Sequence, residues 1–129
     1  MIPKFRTYFN KYKRMIYGVG LVNENSILVD FNGEGSCEYM FLTNDIKLMQ
    51  YTGLKDKNGV EIYEGDILKS KLKEPIIVGF RDGSFSVKYK RSENVNVSTT
   101  LSCFLDKYKA KIVGNIYENA ELLKEEEDD

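Results

Sequence analysis

Hydrophobic and polar residues alternate in short runs along most of this chain, and turn residues break the runs about every 8–12 positions, the signature of a meander of short antiparallel strands. Lys4 to Phe9 predicts a first strand with Phe5 buried, Asn10-Lys11-Tyr12-Lys13 a turn, and Arg14 to Tyr17 the returning strand. Gly18 and Gly20 around Val19 read as a bend without phosphate-loop spacing. Strand, turn and strand follow over Leu21-Val22, Asn23-Glu24-Asn25 and Ser26 to Phe31, and Asn32-Gly33-Glu34-Gly35 makes another turn. Cys37 to Leu42 predicts a strand with much of both faces covered.

The strongest local prediction lies at Asp82-Gly83, between the alternating runs Pro75–Arg81 and Ser84–Lys90. Asp-Gly in that setting calls for a two-residue type I′ hairpin, which would set Arg81 against Ser84, Phe80 against Phe85, Val78 against Val87 and Ile76 against Tyr89. Each apolar cross-strand pair is worth roughly 0.2–1 kcal/mol over Ala–Ala. Glu93 to Ser98 reads as a polar loop. Leu101, Phe104, Leu105 and Tyr108 fit a helical stripe although Thr99–Phe104 also suits a strand, and a short helical turn is expected. Lys111–Tyr117 predicts a strand, after which Asn119 can cap a short helix with Glu121 in its first turn.

Met49–Lys69 is the densest stretch in turn residues, aromatics and carboxylates. Asn58-Gly59 marks a tight reversal and Gly65 a bend, because both tolerate positive φ. The expected fold is mainly β with few short helices. An N-terminal meander over residues 1–60 packs on a small SH3-like or open β-barrel over 61–120, with a short C-terminal helix and an acidic, disordered tail over 121–129. Met49–Lys69 would be the corner joining the two parts.

Composition narrows the chemistry. The chain has 129 residues, 42% hydrophobic and 30% charged, with nine Tyr, seven Phe, no Trp and no His. Without histidine, the Ser-His-Asp and Cys-His nucleophile systems are absent, and Cys37 and Cys103 are too far apart in sequence for a Cys-x-x-Cys metal or redox motif. Both thiols are expected reduced and buried. No metal site and no cofactor is read from the sequence. No apolar run reaches membrane-spanning length, so no membrane association is expected and the cytoplasm is the default setting.

The net charge of −1 conceals an asymmetry. Residues 118–129 hold seven acids and one lysine, while the preceding 117 residues hold 18 bases and 13 acids, a balance of +5. Lys4, Arg6, Lys11, Lys13 and Arg14 fall within the first 17 residues with no acid among them. Lys69, Lys71 and Lys73, then Lys88 and Lys90, then Lys107, Lys109 and Lys111 recur at period two. On strands that period would align each set on one face, and with Tyr89 or Tyr108 as stacking surfaces they form a candidate nucleic-acid-binding cluster. The bland counterpart is the wet face of a half-buried sheet. Asp56, Glu61, Glu64 and Asp66 are the only grouping from which a carboxylate-based metal-dependent hydrolase could be built, but Asp and Glu beside Gly are also the ordinary furniture of turns.

Met49–Leu54, Lys55-Asp56-Lys57-Asn58-Gly59 and Glu61-Ile62-Tyr63-Glu64-Gly65-Asp66-Ile67 together resemble the YopX protein family of bacteriophages and prophages. Val113-Gly114-Asn115-Ile116-Tyr117-Glu118-Asn119 with Glu121-Leu122-Leu123 is similar to a second segment of the family, and Lys4-Phe5-Arg6 with Lys13-Arg14-Met15 to a third. The chain departs from the family at Ala120, usually Pro, and at Thr7-Tyr8, usually Ala-Trp. Tyr51, Gly53, Asp56, Gly59, Ile62, Tyr63, Gly65, Asp66, Gly114 and Asn115 carry the resemblance as a structural motif. It implies a β-rich, phage-encoded protein in the cytoplasm of a bacterial host, with no established activity and no catalytic residues to carry over; the expected function is that of a non-enzymatic accessory protein. Its expected partner is itself, as a homo-oligomer, or another protein, with nucleic acid as the alternative.

Overall fold

The structure is a computed structural model and describes residues 3–123. Its elements are β1 (Phe5–Phe9), β2 (Arg14–Asn23), β3 (Ser26–Val29), β4 (Glu38–Phe41), β5 (Ile46–Lys55), β6 (Glu61–Tyr63), β7 (Asp66–Lys69), β8 (Ile76–Ile77), β9 (Gly79–Arg81), β10 (Ser84–Ser92) and β11 (Val95–Thr100), then helix α1 (Leu101–Lys107), β12 (Lys111–Asn115) and a 3-10 helix (Ala120–Leu123). The fold is mostly antiparallel β with one short α-helix, and no sheet closes into a barrel among the described residues. The chain divides into two compact units, Met1–Tyr51 and Thr52–Asp129.

The first unit is a sheet in the order β4-β3-β2-β1-β5. β1 lies between β2 and β5, and Arg6, Thr7, Tyr8 and Phe9 are all buried, whereas Phe5 at its start is half-buried. On one face Phe9, Ile16, Ile27 and Val29 form a core, with Val19, Phe31, Met40, Ile46 and Leu48 packed on it. β2 continues as one strand through these glycines, and the expected bend takes the form of a bulge: Phe5 pairs with Val19 and Thr7 with Ile16, so an extra residue falls at Tyr17-Gly18. A Cβ at Gly18 would sit 3.1 Å from Asp30 Cβ, a tight fit. β4 corrects a second expectation: it is an edge strand, with Tyr39 and Phe41 open to solvent. A burial estimate from alternation cannot tell an edge strand from a central one, since both alternate alike.

The second unit holds the sheets β11-β10-β9 and β12-β7-β8. Its core contains Ile62, Leu68, Ile76, Val78, Val87, Leu101, Phe104, Tyr108 and Ala110. The Asp82-Gly83 hairpin forms as expected, with φ of 53° and 82° at its two turn residues and the pairs Arg81–Ser84 and Phe80–Phe85. The pairing ends at Gly79–Ser86 and reaches neither Val78–Val87 nor Ile76–Tyr89. Instead Val78 exchanges backbone hydrogen bonds with Gly65 and Asp66, and Ile76 and Ile77 pair with Leu68 and Ile67 of β7. The strand thus changes sheets at Val78, which is why Val78 is buried and Phe80 exposed although two residues apart.

Five further expectations change. Val95–Thr100 is a strand paired with β10, so the polar loop shrinks to a tight turn after Ser92. The helical turn begins only at Leu101, with Thr100 Oγ1 capping Cys103 N–H. Residues 121–123 belong to the 3-10 helix, and the rest of the acidic run, 124–129, lies outside the described residues. Asn119 does not cap that helix with its side chain; its Oδ1 reaches back to accept from Asn115 N–H at 3.0 Å. Both cysteines are free and exposed, not buried.

Candidate functional site

Two carboxylates of the central stretch, Asp56 and Asp66, are taken up by backbone N–H groups. Asp56 is buried and its Oδ1 accepts from Asn58 N–H (2.8 Å) and Val60 N–H (2.9 Å), while Oδ2 accepts from Ile112 N–H (2.9 Å). One side chain thus closes the Asn58-Gly59 turn and pins it to β12. Burial pushes the Asp56 carboxyl up, but the three N–H donors and the nearby Lys57 charge outweigh it and hold its pKa below the usual value. Asp66 Oδ2 accepts from Tyr63 N–H at 2.7 Å across the bend at Gly65. Gly65 itself has φ of 90° and joins two strands by donating to Val78 O and accepting from Ile116 N–H. Among the described residues no three of Asp, Glu and Cys lie close enough to hold a metal ion.

The remaining motif residues act in the same architectural way. Tyr51 stacks under the Lys4 ammonium at 4.5 Å. Gly53 has φ of 86°, and Gly59 has φ of 82°. Ile62 and Tyr63 are buried. Asn115 is buried and its Oδ1 accepts from Tyr117 and Glu118 N–H, while its Nδ2 donates to Glu118 Oε1. Gly114 leaves room for Asn119, whose Oδ1 would lie 2.6 Å from an added Cβ.

All the candidate lysines are exposed, but strand periodicity does not explain their placement. Lys69 and Lys111 are direct cross-strand partners in β7 and β12. Lys71 lies beyond the end of β7, Lys107 is on α1 and Lys109 in the connection after it. Tyr108 draws two of them together: the Lys71 and Lys107 ammoniums stand 5.9 and 5.6 Å from its ring centre. Lys88 and Lys90 are the pair that shares a strand face; with Glu74, Asn96 and Ser98 they line a groove of about 430 Å³. Tyr89 also lines this groove, while its ring packs onto Phe104 and Tyr108 at 5.4 Å each. Burial and a hydrogen bond with Tyr108 raise its pKa. Its ring is therefore committed to the core.

A further concavity lies in the first unit, away from the candidate lysines. A hollow of about 390 Å³ is walled by Phe9, Tyr12, Phe31, Met40 and Ile46 and rimmed by Lys11, Arg14, Glu38, Thr43 and Asp45. That is within the range of small-ligand sites. Phe9 and Phe31 ring centres are 5.2 Å apart, and Tyr12 meets Phe31 edge-on at 6.5 Å. Arg14 donates to Phe31 O at 2.9 Å. The signal that could have found this site was on view: bases interleaved with aromatics over Phe9–Arg14, in the acid-free N-terminal stretch.

On the opposite face of the same sheet, Leu28 pairs with Tyr39 across β3 and β4, and Tyr39 meets Phe41 edge-on at 5.5 Å. Tyr39 and Phe41 are 52% and 64% exposed. Tyr17 adds a further open ring, hydrogen-bonded by the buried Arg6.

No helix of the described residues is long and apolar enough to cross a membrane. No curated protein matches the chain. Among solved structures it is similar to protein EF1440 from Enterococcus faecalis, with 31% identity and a TM-score of 0.67 over 95% of this chain and 99% of that one. It is also similar in fold to protein yopX from Bacillus subtilis, with 20% identity and a TM-score of 0.65 over 93% and 97% of the two chains. The sequence matches the YopX protein family over residues 4–124, and this chain belongs to that family.

Proposed function

We infer that this is a non-enzymatic accessory protein of a phage or prophage that works by assembling with further copies of itself. The observation that carries the reading is the edge strand β4, whose outer side pairs with no strand among the described residues and whose outward face carries Tyr39 and Phe41. Such an edge offers a row of unpaired N–H and C=O groups, and natural proteins usually blunt it with lysine or proline. Glu38-Tyr39-Met40-Phe41 has neither. The strand is also self-complementary. Antiparallel pairing about a twofold axis at Met40 keeps both outward faces together and sets Tyr39 opposite Phe41 of the second copy, extending the existing aromatic contact into four rings.

Light scattering on the eluting protein tests this. A defined oligomer is expected, and Tyr39→Lys with Phe41→Lys is expected to dissociate it without loss of secondary structure. A monomer at tens of micromolar, or an oligomer indifferent to both lysines, refutes the reading.

A second reading rests on Lys69 and Lys111. Like charges placed directly opposite destabilise a sheet, and neither lysine has an ion-pair partner among the described residues. With Lys71, Lys107 and Lys109 nearby they form a patch suited to a single-stranded nucleic acid. Retention of a labelled oligonucleotide that weakens with salt and with Lys69→Ala plus Lys111→Ala supports it. Deleting the acidic residues 125–129 should strengthen that retention at low salt. An oligonucleotide that elutes unretarded at low salt removes this second reading.

A further inference from the structure

We propose that the hollow beneath the β1–β2 turn is a nucleotide subsite, with a guanine ring held among Phe31, Tyr12 and Met40 and its phosphate at Lys11 and Arg14. The site lies in the first unit; its Glu38 and Met40 belong to β4, on the face opposite Tyr39 and Phe41, and it needs neither assembly nor the lysine patch.

The residues of the hollow divide by chemistry into three groups. Its wall is aromatic: Phe9, Tyr12 and Phe31 are clustered at 5.2–6.5 Å between ring centres. Phe9 is buried and acts as the base of the wall, whereas Tyr12 is 56% exposed. A half-open ring beside a fixed one is what a planar heterocycle needs to slide into a stack, and stacking tolerates any base.

Its cations come next. The Lys11 ammonium rests 5.7 Å from the Tyr12 ring centre and the Arg14 guanidinium 5.9 Å from that of Phe31. Both cations line the hollow beside these rings; a base that takes their place on the rings carries its phosphate within reach of the displaced Lys11 and Arg14 side chains. The turn that presents them is held in place. Lys13 N–H donates to Phe9 O at 2.7 Å with Lys13 at φ of 53°, and Asn10 N–H and Lys11 N–H bond Asp45 O and Oδ2 at 3.0 and 3.2 Å. The left-handed Lys13 closes the hairpin loop in the usual way and so fixes where Lys11, Tyr12 and Arg14 stand.

The acids decide which base. Asp45 already accepts from the turn, whereas Glu38 lines the hollow with no hydrogen-bond or ion-pair partner among the described residues. A carboxylate accepts two hydrogens side by side. Guanine offers them on its N1 and exocyclic amino group; uracil offers a single N–H flanked by carbonyls that repel the carboxylate. The site should therefore prefer guanine over uracil by about tenfold or more, the scale of one good two-point contact to a base.

The test is a nuclear magnetic resonance titration of the whole chain with guanosine 5′-monophosphate, uridine 5′-monophosphate, inorganic phosphate and a guanosine trinucleotide. Guanosine monophosphate is expected to shift the amides of residues 9–14, 31 and 38. Tyr12→Ala, at an exposed position, should weaken it about tenfold with the melting temperature unchanged, and Glu38→Gln should bring the guanosine and uridine nucleotides close together. Equal affinity for the mononucleotide and trinucleotide marks a free nucleotide as the ligand, and a tighter trinucleotide marks a strand; both keep the site. The proposal is overturned if millimolar guanosine nucleotide leaves these amides unmoved, if inorganic phosphate alone reproduces the shifts, or if shifts appear only around Lys69 and Lys111.

Discussion

Replacing Asp56 separates an architectural carboxylate from a catalytic one. Its two oxygens take three backbone donors at 2.8–2.9 Å. A hydrogen bond to a charged group is worth roughly 1.5–3 kcal/mol, and a buried donor left unmade costs about 1–3 kcal/mol. Asn58 and Val60 are exposed, so water can partly replace the carboxylate for them; Ile112, in strand β12, is less open. Asp56→Ala should therefore cost about 3–5 kcal/mol, a large share of the 5–15 kcal/mol that holds a typical domain. Asp56→Asn keeps one acceptor oxygen but turns an amide donor toward the remaining N–H groups, and should cost about 2–3 kcal/mol.

Thermal and urea unfolding followed by circular dichroism measure both variants, and hydrogen exchange at the Ile112 amide reports the local bond. At roughly 3–6 °C per kcal/mol for a chain of this size, Asp56→Ala should melt at least 10 °C early. The pH dependence has a definite sign. Because the folded pKa lies below the ordinary aspartate value, the Asp56 contribution is complete above that value, near 3.9, and drains away as pH falls through the folded pKa. The stability gap between the wild type and Asp56→Asn should thus narrow on acidification below about pH 4. An unchanged melting temperature in Asp56→Ala, or a gap that widens with acid, would refute the assignment.

Gly65→Val should destabilise by more than Asn58-Gly59→Ala-Ala in the same melts, since Gly65 is buried at φ of 90° whereas Gly59, at φ of 82°, has open space around it. Gly114→Ala drives a methyl into the Asn119 carboxamide and should cost about 1–3 kcal/mol; with Asn119→Ala added, the two losses should fall short of their sum, as a double-mutant cycle would show. Lys69→Glu should raise stability by about 0.2–1 kcal/mol, because it faces Lys111 with an opposite charge, while lowering any oligonucleotide retention. A Lys69→Glu protein that melts earlier would mean the two side chains do not meet.

What the sequence made legible was local, and what it hid depended on neighbours far along the chain. Asp82-Gly83 dictates its own backbone and fixes the two pairs beside it, but nothing local announces that Val78 abandons the hairpin for Gly65 and Asp66. The carboxylates of the central stretch illustrate the same divide. Two of Asp56's bonds, to Asn58 and Val60, follow from ordinary turn chemistry. The third, to Ile112, spans 56 positions, and it is this bond that converts a surface turn residue into a buried tie. Period-two lysines misled for a related reason: periodicity speaks of a face only while the chain stays in one strand, and Lys71, Lys107 and Lys109 lie outside any. Edges are the least visible of all. Glu38–Phe41 alternates like a covered strand, and only the count of strands beside it shows that one side is open. It follows that the aromatic edge was not legible in the sequence, and that of the hollow only the bases and aromatics of Phe9–Arg14 were, without the residues of β4 and β5 that complete it. Both depend on which strands lie next to which, a property that strand alternation leaves undetermined.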